Sequence, residues 1–401
     1  MKKILLLGGS AQQIVAIETA KRLGLYTVLC DYLPDNPGQY HADKFYLAST
    51  TEKEKILQIA QSEGVNYIIA YASDPAAPTA AYVAEKMGLP TNPYKSVEIL
   101  CNKDLFRSFL EQNGFNTPKA RGYDTKEQAF SDIEFFSFPV LTKPVDSSGS
   151  KGVTVVRGLQ DLDSAVDYAF SYSRCHRMII EEYLEKKHPY LIGGDIFVLE
   201  GKIIQWGLMN CHRDSAVNPL VPVGKSFPLI LDKQDFDNVK DTLQSIVGKL
   251  GIQHGAMNVE LLVDEKNRVF PVDLGPRSGG NMIPDLLGMI FHCDVVEMCI
   301  RAAMGSKVII PDDKGESFYA TLNLHSAQNG IFDHVEFDDD IAQYIIRKNV
   351  YVKTGDKVNL FVNSADALGI IFFKFPDKDV MIEMEEHMNE HVKIVLRSGC
   401  V

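Results

Sequence analysis

The chain has 401 residues, 45% of them hydrophobic and 23% charged, with a formal net charge of −12. That length exceeds one ordinary core, so roughly two or three domains are expected. The acidic balance and the lack of any basic block argue against nucleic acid and anionic membrane as partners. Seven scattered cysteines (Cys30, Cys101, Cys175, Cys211, Cys293, Cys299, Cys400) form no Cys-x-x-Cys pair and read as reduced thiols. No apolar stretch approaches the roughly 18 residues of a membrane span, and the run after Met-Lys-Lys is too short for a signal peptide. A cytoplasmic location is the expectation.

Residues 1–92 alternate strand and helix. Apolar runs at 4–7, 27–30, 44–47 and 67–70 are separated by helical patterns at 11–23, 52–63 and 76–87. This alternation predicts a parallel sheet with crossover helices, whose ligands bind beyond the carboxyl ends of the strands. That rule singles out Gly8, Gly9, Ser10, Gln12, Asp31, Ser73 and Asp74. A dinucleotide role is disfavoured, because Leu-Gly-Gly-Ser-Ala-Gln-Gln lacks the third glycine of the Gly-x-Gly-x-x-Gly pattern. Asp31 and Asp74 read equally well as solvated caps.

After the turn at Thr91-Asn92-Pro93, residues 96–113 read as helical with an interruption near Asn102, where Lys103 stands. A strand at 119–122, a helix at 125–133, and then the stretch 139–152, Pro-Val-Leu-Thr-Lys-Pro-Val-Asp-Ser-Ser-Gly-Ser-Lys-Gly, follow. Here a short apolar strand delivers Lys143 into a loop of small residues: Ser147, Ser148, Gly149, Ser150 and Gly152. Small residues let backbone N–H groups approach phosphate oxygens, and a lysine supplies the compensating charge. A plain Gly/Ser hairpin connection is the alternative. Residues 162–173 read as a helix. The strand Met-Ile-Ile then runs into Glu181 and Glu182, followed by Tyr183 and Leu184. Such a strand end can offer N–H, C=O and carboxylate to an adenine edge, or can simply emerge into solvent.

Residues 185–194 read as a loop, and 195–199 with 202–208 as a hairpin. Residues 210–228, which include His212, Arg213, Asp214, Asn218 and Lys225, show no periodicity and read as a long loop of the lid or substrate-contact kind. A helix spans 233–250. In His-Gly-Ala-Met-Asn-Val-Glu-Leu-Leu-Val the strand period of two places His254, Ala256, Asn258 and Glu260 on one face, and Met257, Val259 and Leu261 on the other. A turn centred between Lys266 and Asn267 sets Glu260 directly opposite Asp273. Opposed like charges on neighbouring strands are destabilising, and a divalent cation held by both is the economical compensation. Two acids facing solvent are the alternative. Arg277 follows in a glycine-rich loop, suited to a phosphoryl group or a substrate carboxylate.

Taken in this order, these pieces resemble the ATP-grasp superfamily of carboxylate–amine (or thiol) ligases. They are the N-terminal parallel α/β unit, Lys103, Lys143 with its Ser/Gly loop, Glu181-Glu182-Tyr183-Leu184, Glu260, Asp273 and Arg277. The resemblance covers roughly residues 1–305. It is similar to the branch holding the carbamoyl-phosphate synthase large subunit, the purine-pathway ATP-grasp enzymes, biotin carboxylase and the stand-alone amino-acid ligases. It implies a mixed α/β and α+β architecture: a pre-ATP-grasp domain at 1–92, an ATP-grasp domain at 93–305 with a flap at about 118–184, and a small α+β domain at 306–401. It implies ATP as cofactor, with Lys103 and Lys143 on its phosphates, Ser147 to Gly152 closing over them, Glu181 on the adenine amine and the backbone of 182–184 on the adenine ring. It implies Mg2+, with Mn2+ as the alternative, on Glu260 and Asp273, and Arg277 at the acyl-phosphate step. Asp195 is the candidate ribose-binding acid.

One departure stands out. An asparagine usually sits two residues after the second acid, where this chain has Gly275; Asn281 is a possible substitute. The expected activity is ATP-dependent joining of a small-molecule carboxylate to an amine, with no nucleic acid and no membrane as partner. The homodimer is the default oligomer. Bicarbonate activation, and an ATP-binding regulatory protein without catalysis, are the rival readings. In the C-terminal segment, 317–324, 343–348 and 368–373 read as strands and 379–391 as a helix. His325 is either a reach into the active site or a polar strand end.

Overall fold

The computed structural model describes residues 1–308 and 317–397; Cys400 lies outside the described residues. The N-terminal strands β1 (Lys3–Leu7), β2 (Tyr26–Asp31), β3 (Lys44–Leu47) and β4 (Tyr67–Ile69) form a parallel sheet in the order β3-β2-β1-β4. Leu5, Leu7 and Val28 pack on Ile56, Ile59 and Val83. Ile4, Leu6 and Leu29 pack on Ile17 and Ile300. Both faces are covered, which is why these strands read as continuous apolar runs rather than as alternation.

A second sheet is antiparallel. It contains β5 (Ala120–Tyr123), β6 (Val140–Pro144), β7 (Thr154–Val156) and β8 (Met178–Glu182) in the order β5-β8-β6-β7. The helix Leu159–Ser171 packs its Leu162, Ala165, Val166 and Ala169 onto Val140, Met178 and Ile180. Its Ser/Gly connection between β6 and β7 is the loop that follows Lys143.

The remaining strands are β9 (Leu191–Leu199), β10 (Lys202–Asp214), β11 (Asn218–Phe227), β12 (His254–Val263), β13 (Val269–Gly275), β14 (Phe318–Leu324), β15 (Gly330–Phe337), β16 (Ile345–Val350), β17 (Lys357–Val358), β18 (Gly369–Phe375) and β19 (Val392–Arg397). Eight of them make one antiparallel sheet, β13-β12-β9-β10-β11-β14-β18-β16; β17, β15 and β19 make a small separate one. The segment from 306 onward therefore extends the large sheet through β14, β18 and β16. One face of that sheet packs Ile192, Ile196, Met257, Val259 and Leu261 against the helix Lys233–Leu250. The other face packs Phe197, Met209 and Ala256 against the helices Ile283–Phe291 and Val295–Ala303.

Two stretches that read as loops are strand instead. Asn210 to Phe227 is a paired hairpin, with Asn210 opposite Ser226, Cys211 opposite Lys225 and His212 opposite Gly224. Its polar side chains find cross-strand partners, such as Asn210 Nδ2 on Ser226 Oγ at 3.0 Å. Register shifts on both sides of Arg213 destroy the period of two that marks a strand in sequence. Likewise β9 begins at Leu191 and includes Gly193-Gly194. Gly194 sits at φ +127°, and a Cβ on it would meet the Gly207 carbonyl oxygen at 2.0 Å. The glycine is there for the close approach of β10, not for a turn. Gly194→Ala is expected to destabilise the fold by about 1–3 kcal/mol from backbone conformation alone, more with the clash, as read by a lower midpoint in urea unfolding.

Candidate active site

A cavity of about 1290 Å³ lies where the N-terminal unit, the flap sheet and the large sheet meet. Asp74, Lys103, Lys143, Glu181, Glu260, Asp273 and Arg277 all line it, together with the loop from Ser147. Residues far apart in the chain are thus brought to one place.

Lys143 leaves β6 and meets Glu181 of the adjoining β8, Nζ to Oε2 at 2.5 Å. Arg107 closes on the same carboxylate, Nε to Oε1 at 2.9 Å. Its Nη1 and Nη2 donate to the carbonyls of Pro271 and Val272 on β13, at 3.2 and 2.7 Å. Glu181 is only 2% exposed. Burial works against its ionisation, but Arg107 and Lys143 overcome it and hold the carboxyl at about 2. Sequence reasoning missed Arg107. The available signal was its position one helical turn after Lys103, on the same face of the helix Lys103–Gln112.

Lys103 Nζ donates to the Ser147 carbonyl at 2.8 Å and stands 3.6 Å from Asp273 Oδ2, joining the start of the loop to the acid strand. The loop adopts left-handed conformations at Gly149, Ser150 and Gly152. It lies over the β10–β11 hairpin, with Ser150 Oγ donating to Leu220 O at 2.8 Å and Ser364 N to Gly149 O at 3.4 Å. At the end of β8, the Glu182 and Tyr183 N–H groups are spent on Lys119 O and Pro139 O. In 182–184 the amide left for a ligand is that of Leu184.

Glu260 and Asp273 stand directly opposite on β12 and β13, after which the register shifts. The neighbouring cations answer the like-charge problem: Arg213 pairs with Glu260 and Lys103 approaches Asp273. Burial raises the proton affinity of Glu260, yet Arg213 and Lys225 bring its pKa below the usual carboxylate value. Among the described residues no group of three His, Cys, Asp or Glu side chains is assembled for a metal. The protein offers two carboxylates, which fits Mg2+ completed by substrate phosphates and water.

The Gly275 departure has a steric cause. A Cβ there would lie 2.7 Å from Asp74 Oδ1. Asp74 reaches across from the end of β4 and pairs with Arg277, Nε to Oδ1 at 2.8 Å, with Nη2 on Oδ2. Burial opposes ionisation of Asp74, and Arg277 more than restores it. The carboxylate of the N-terminal unit thus occupies the space an asparagine would take. Asn281 also lines the cavity, in a left-handed conformation.

Other candidates are placed differently. Asp195 is buried beneath the wall, its carboxylate accepting from Gly279 N and Asn258 Nδ2, and burial lifts it to about 6. Asp31 accepts from the Gly9 and Leu33 amides, and Gln13 fills the glycine loop by bonding Tyr71 O. Gln12 lines the cavity. His325 sits behind Asp214, Nε2 to Oδ2 at 3.1 Å. His212 points to the opposite sheet face from Arg213, onto Ser226 and Glu385. Gly275→Asn is expected to displace Asp74 and lower the melting temperature, whereas Asp74→Ala combined with Gly275→Asn regains much of the loss; equal losses in the single and double variants would refute the steric account.

The family model described as "Carbamoyl-phosphate synthase L chain, ATP binding domain" matches residues 102–308. The formate-dependent phosphoribosylglycinamide formyltransferase of Methanocaldococcus jannaschii is 32% identical over 380 residues, covering 91% of this chain and 92% of that one. An L-amino acid ligase from Bacillus licheniformis has the same fold, with a TM-score of 0.81 at 18% identity, covering 99% of each chain. So does N5-carboxyaminoimidazole ribonucleotide synthetase from Thermotoga maritima, with a TM-score of 0.73 at 18% identity, covering 99% of this chain and 100% of that one. With the model match and the whole-chain relative in agreement, this chain belongs to the ATP-grasp superfamily of ligases, enzymes that use ATP to form C–N bonds between carboxylates and amines.

Proposed function

We propose that the protein activates a small-molecule carboxylic acid as its acyl phosphate and joins it to an amine. The observation that carries this is the shared cavity: Lys103 and Lys143 face it together with the opposed acids Glu260 and Asp273. Phosphoryl transfer asks chiefly for positioning and charge neutralisation, and this set supplies both.

In this reading a carboxylate oxygen of the acid attacks the γ-phosphorus of ATP. The bond to the bridging oxygen breaks and ADP leaves. The amine nitrogen then attacks the acyl carbon, phosphate departs, and the proton shed by nitrogen goes to phosphate or water. Mg2+ on Glu260 and Asp273 supplies charge neutralisation of the phosphates. Lys103 and Lys143 hold the phosphate oxygens, and the Leu184 amide takes the adenine edge. The Ser147–Gly152 loop excludes water from the labile anhydride.

A second reading, ATP binding without catalysis, draws on Asp74 filling the place of a third metal-side residue. One screen separates the two. Phosphate release is measured with ATP, Mg2+ and paired pools of carboxylates and amines, with bicarbonate as a separate arm. Release that requires both pools, and falls by about two orders of magnitude or more in Glu260→Gln, is the expected result. Release driven by bicarbonate alone points to carboxylation, and nucleotide binding without release under any condition points to the non-catalytic reading.

A further inference from the structure

The cations that line the cavity differ in what already neutralises them. Lys143 is paired with Glu181, Lys103 with Asp273, Arg277 with Asp74 and Arg213 with Glu260. Like Lys151 and Lys186, Lys225 on β11 makes no ion pair with a carboxylate among the described residues. Among the described residues its ammonium has one hydrogen-bonding partner, the thiol of Cys211 directly opposite on β10, Nζ to Sγ at 2.9 Å. Arg213 Nη1 approaches the same sulfur at 2.8 Å. Two cations therefore converge on a thiol, a weak acceptor for either.

The backbone makes room for this arrangement. Gly193 of β9 is the register partner of Glu260, and a Cβ at 193 would stand 2.8 Å from Lys225 Nζ. The ammonium lies across the bare glycine and faces the same side of the sheet as Glu260. Cys211, Arg213 and Lys225 all line the cavity. Burial alone would raise the Cys211 thiol, but Arg213 and Lys225 bring it below its ordinary value; the other described cysteines are all pushed up.

We propose that Lys225 and Arg213 form the binding site for the carboxylate of the acid substrate, with the Cys211 sulfur as the group they hold when no acid is bound. This rests on the ligase reading and moves the acid from Arg277, which Asp74 already engages, to the β10–β11 hairpin. A carboxylate between an ammonium and a guanidinium makes charge-assisted hydrogen bonds that a thiol does not match. It lies beside Glu260, where the γ-phosphate and its metal are expected.

The geometry supplies its own reporter. An anion that draws Lys225 and Arg213 away from Cys211 makes the thiol less ionised and slower to alkylate. The full-length chain is treated with iodoacetamide at constant ionic strength, in chloride and in acetate as the probe carboxylate, and labelling of each cysteine is followed by peptide mass. Acetate is expected to slow Cys211 by about tenfold, because the thiolate loses the two cations that favour it. The exposed Cys175 is unchanged. Lys225→Met abolishes the acetate effect and Lys225→Arg keeps it. An arm with ATP and Mg2+ identifies the anion: protection by acetate over and above that of the nucleotide supports the acid site. If the nucleotide alone gives the whole effect, the cations serve its γ-phosphate and the proposal falls. It also falls if chloride and acetate give equal rates, or if Lys225→Met leaves the acetate effect intact. No turnover enters this readout. Acetate protection alongside an empty phosphate-release screen would sink the ligase reading and leave the carboxylate site standing.

Discussion

The buried ion cluster of Glu181 with Arg107 and Lys143 is the contact on which the rest of the site depends. It joins four parts of the chain: the helix Lys103–Gln112, β6, β8 and, through Arg107, the carbonyls of β13. Flap sheet and large sheet are thereby held in one geometry. Burying three charges is costly, and the cluster is sustained because each is matched; removing one partner from such a set typically costs about 3–5 kcal/mol. The sign of its pH dependence follows from the depressed carboxyl. Its stabilisation is complete above the usual glutamate range and is lost as pH falls from there through about 2. At neutral pH Lys143 is therefore fixed in place by Glu181, the preorganisation that its proposed contact with phosphate calls for.

Charge matching extends through the cavity. Glu260 leans on Arg213, Asp273 on Lys103 and Asp74 on Arg277. The pairs neutralise acids that the sheet register forces together, and each pair can be exchanged for a ligand contact. In the proposed reaction Glu260 and Asp273 would hold Mg2+, which would free Arg213 and Lys103 for phosphate or substrate. Asp74 is the exception in origin, because it belongs to the N-terminal unit. Its approach explains Gly275, and through Arg277 it ties that unit to the acid strands.

Much of this was legible in the chain. The N-terminal alternation, the Lys143 loop and the opposition of Glu260 and Asp273 follow from short-range pattern: apolar runs, small residues after a lysine, and a period of two about a turn. Residues 181–184 do line the cavity, but Glu181, expected on the adenine amine, is taken up by Arg107 and Lys143, and Tyr183 and Glu182 spend their amides within the flap sheet, which no local pattern announces. Arg107 was hidden because a helical arginine is ordinarily a surface residue. The β10–β11 hairpin was hidden because bulges around Arg213 erase its alternation, and because its polar residues face a cavity rather than solvent or core. Gly193 and Gly194 imitated a loop while serving close approach between strands. The Asp74–Arg277 contact joins residues from two ends of the fold, and only the assembled structure could reveal it.

The central claim is that a substrate carboxylate oxygen becomes bonded to the γ-phosphorus. Oxygen-18 placed in the carboxylate of the accepted acid tests it directly, with the released phosphate read by mass spectrometry or 31P NMR. The account predicts one labelled oxygen in each phosphate formed during amide synthesis and none in the ADP. Phosphate released without label, while the amide still forms, would contradict it.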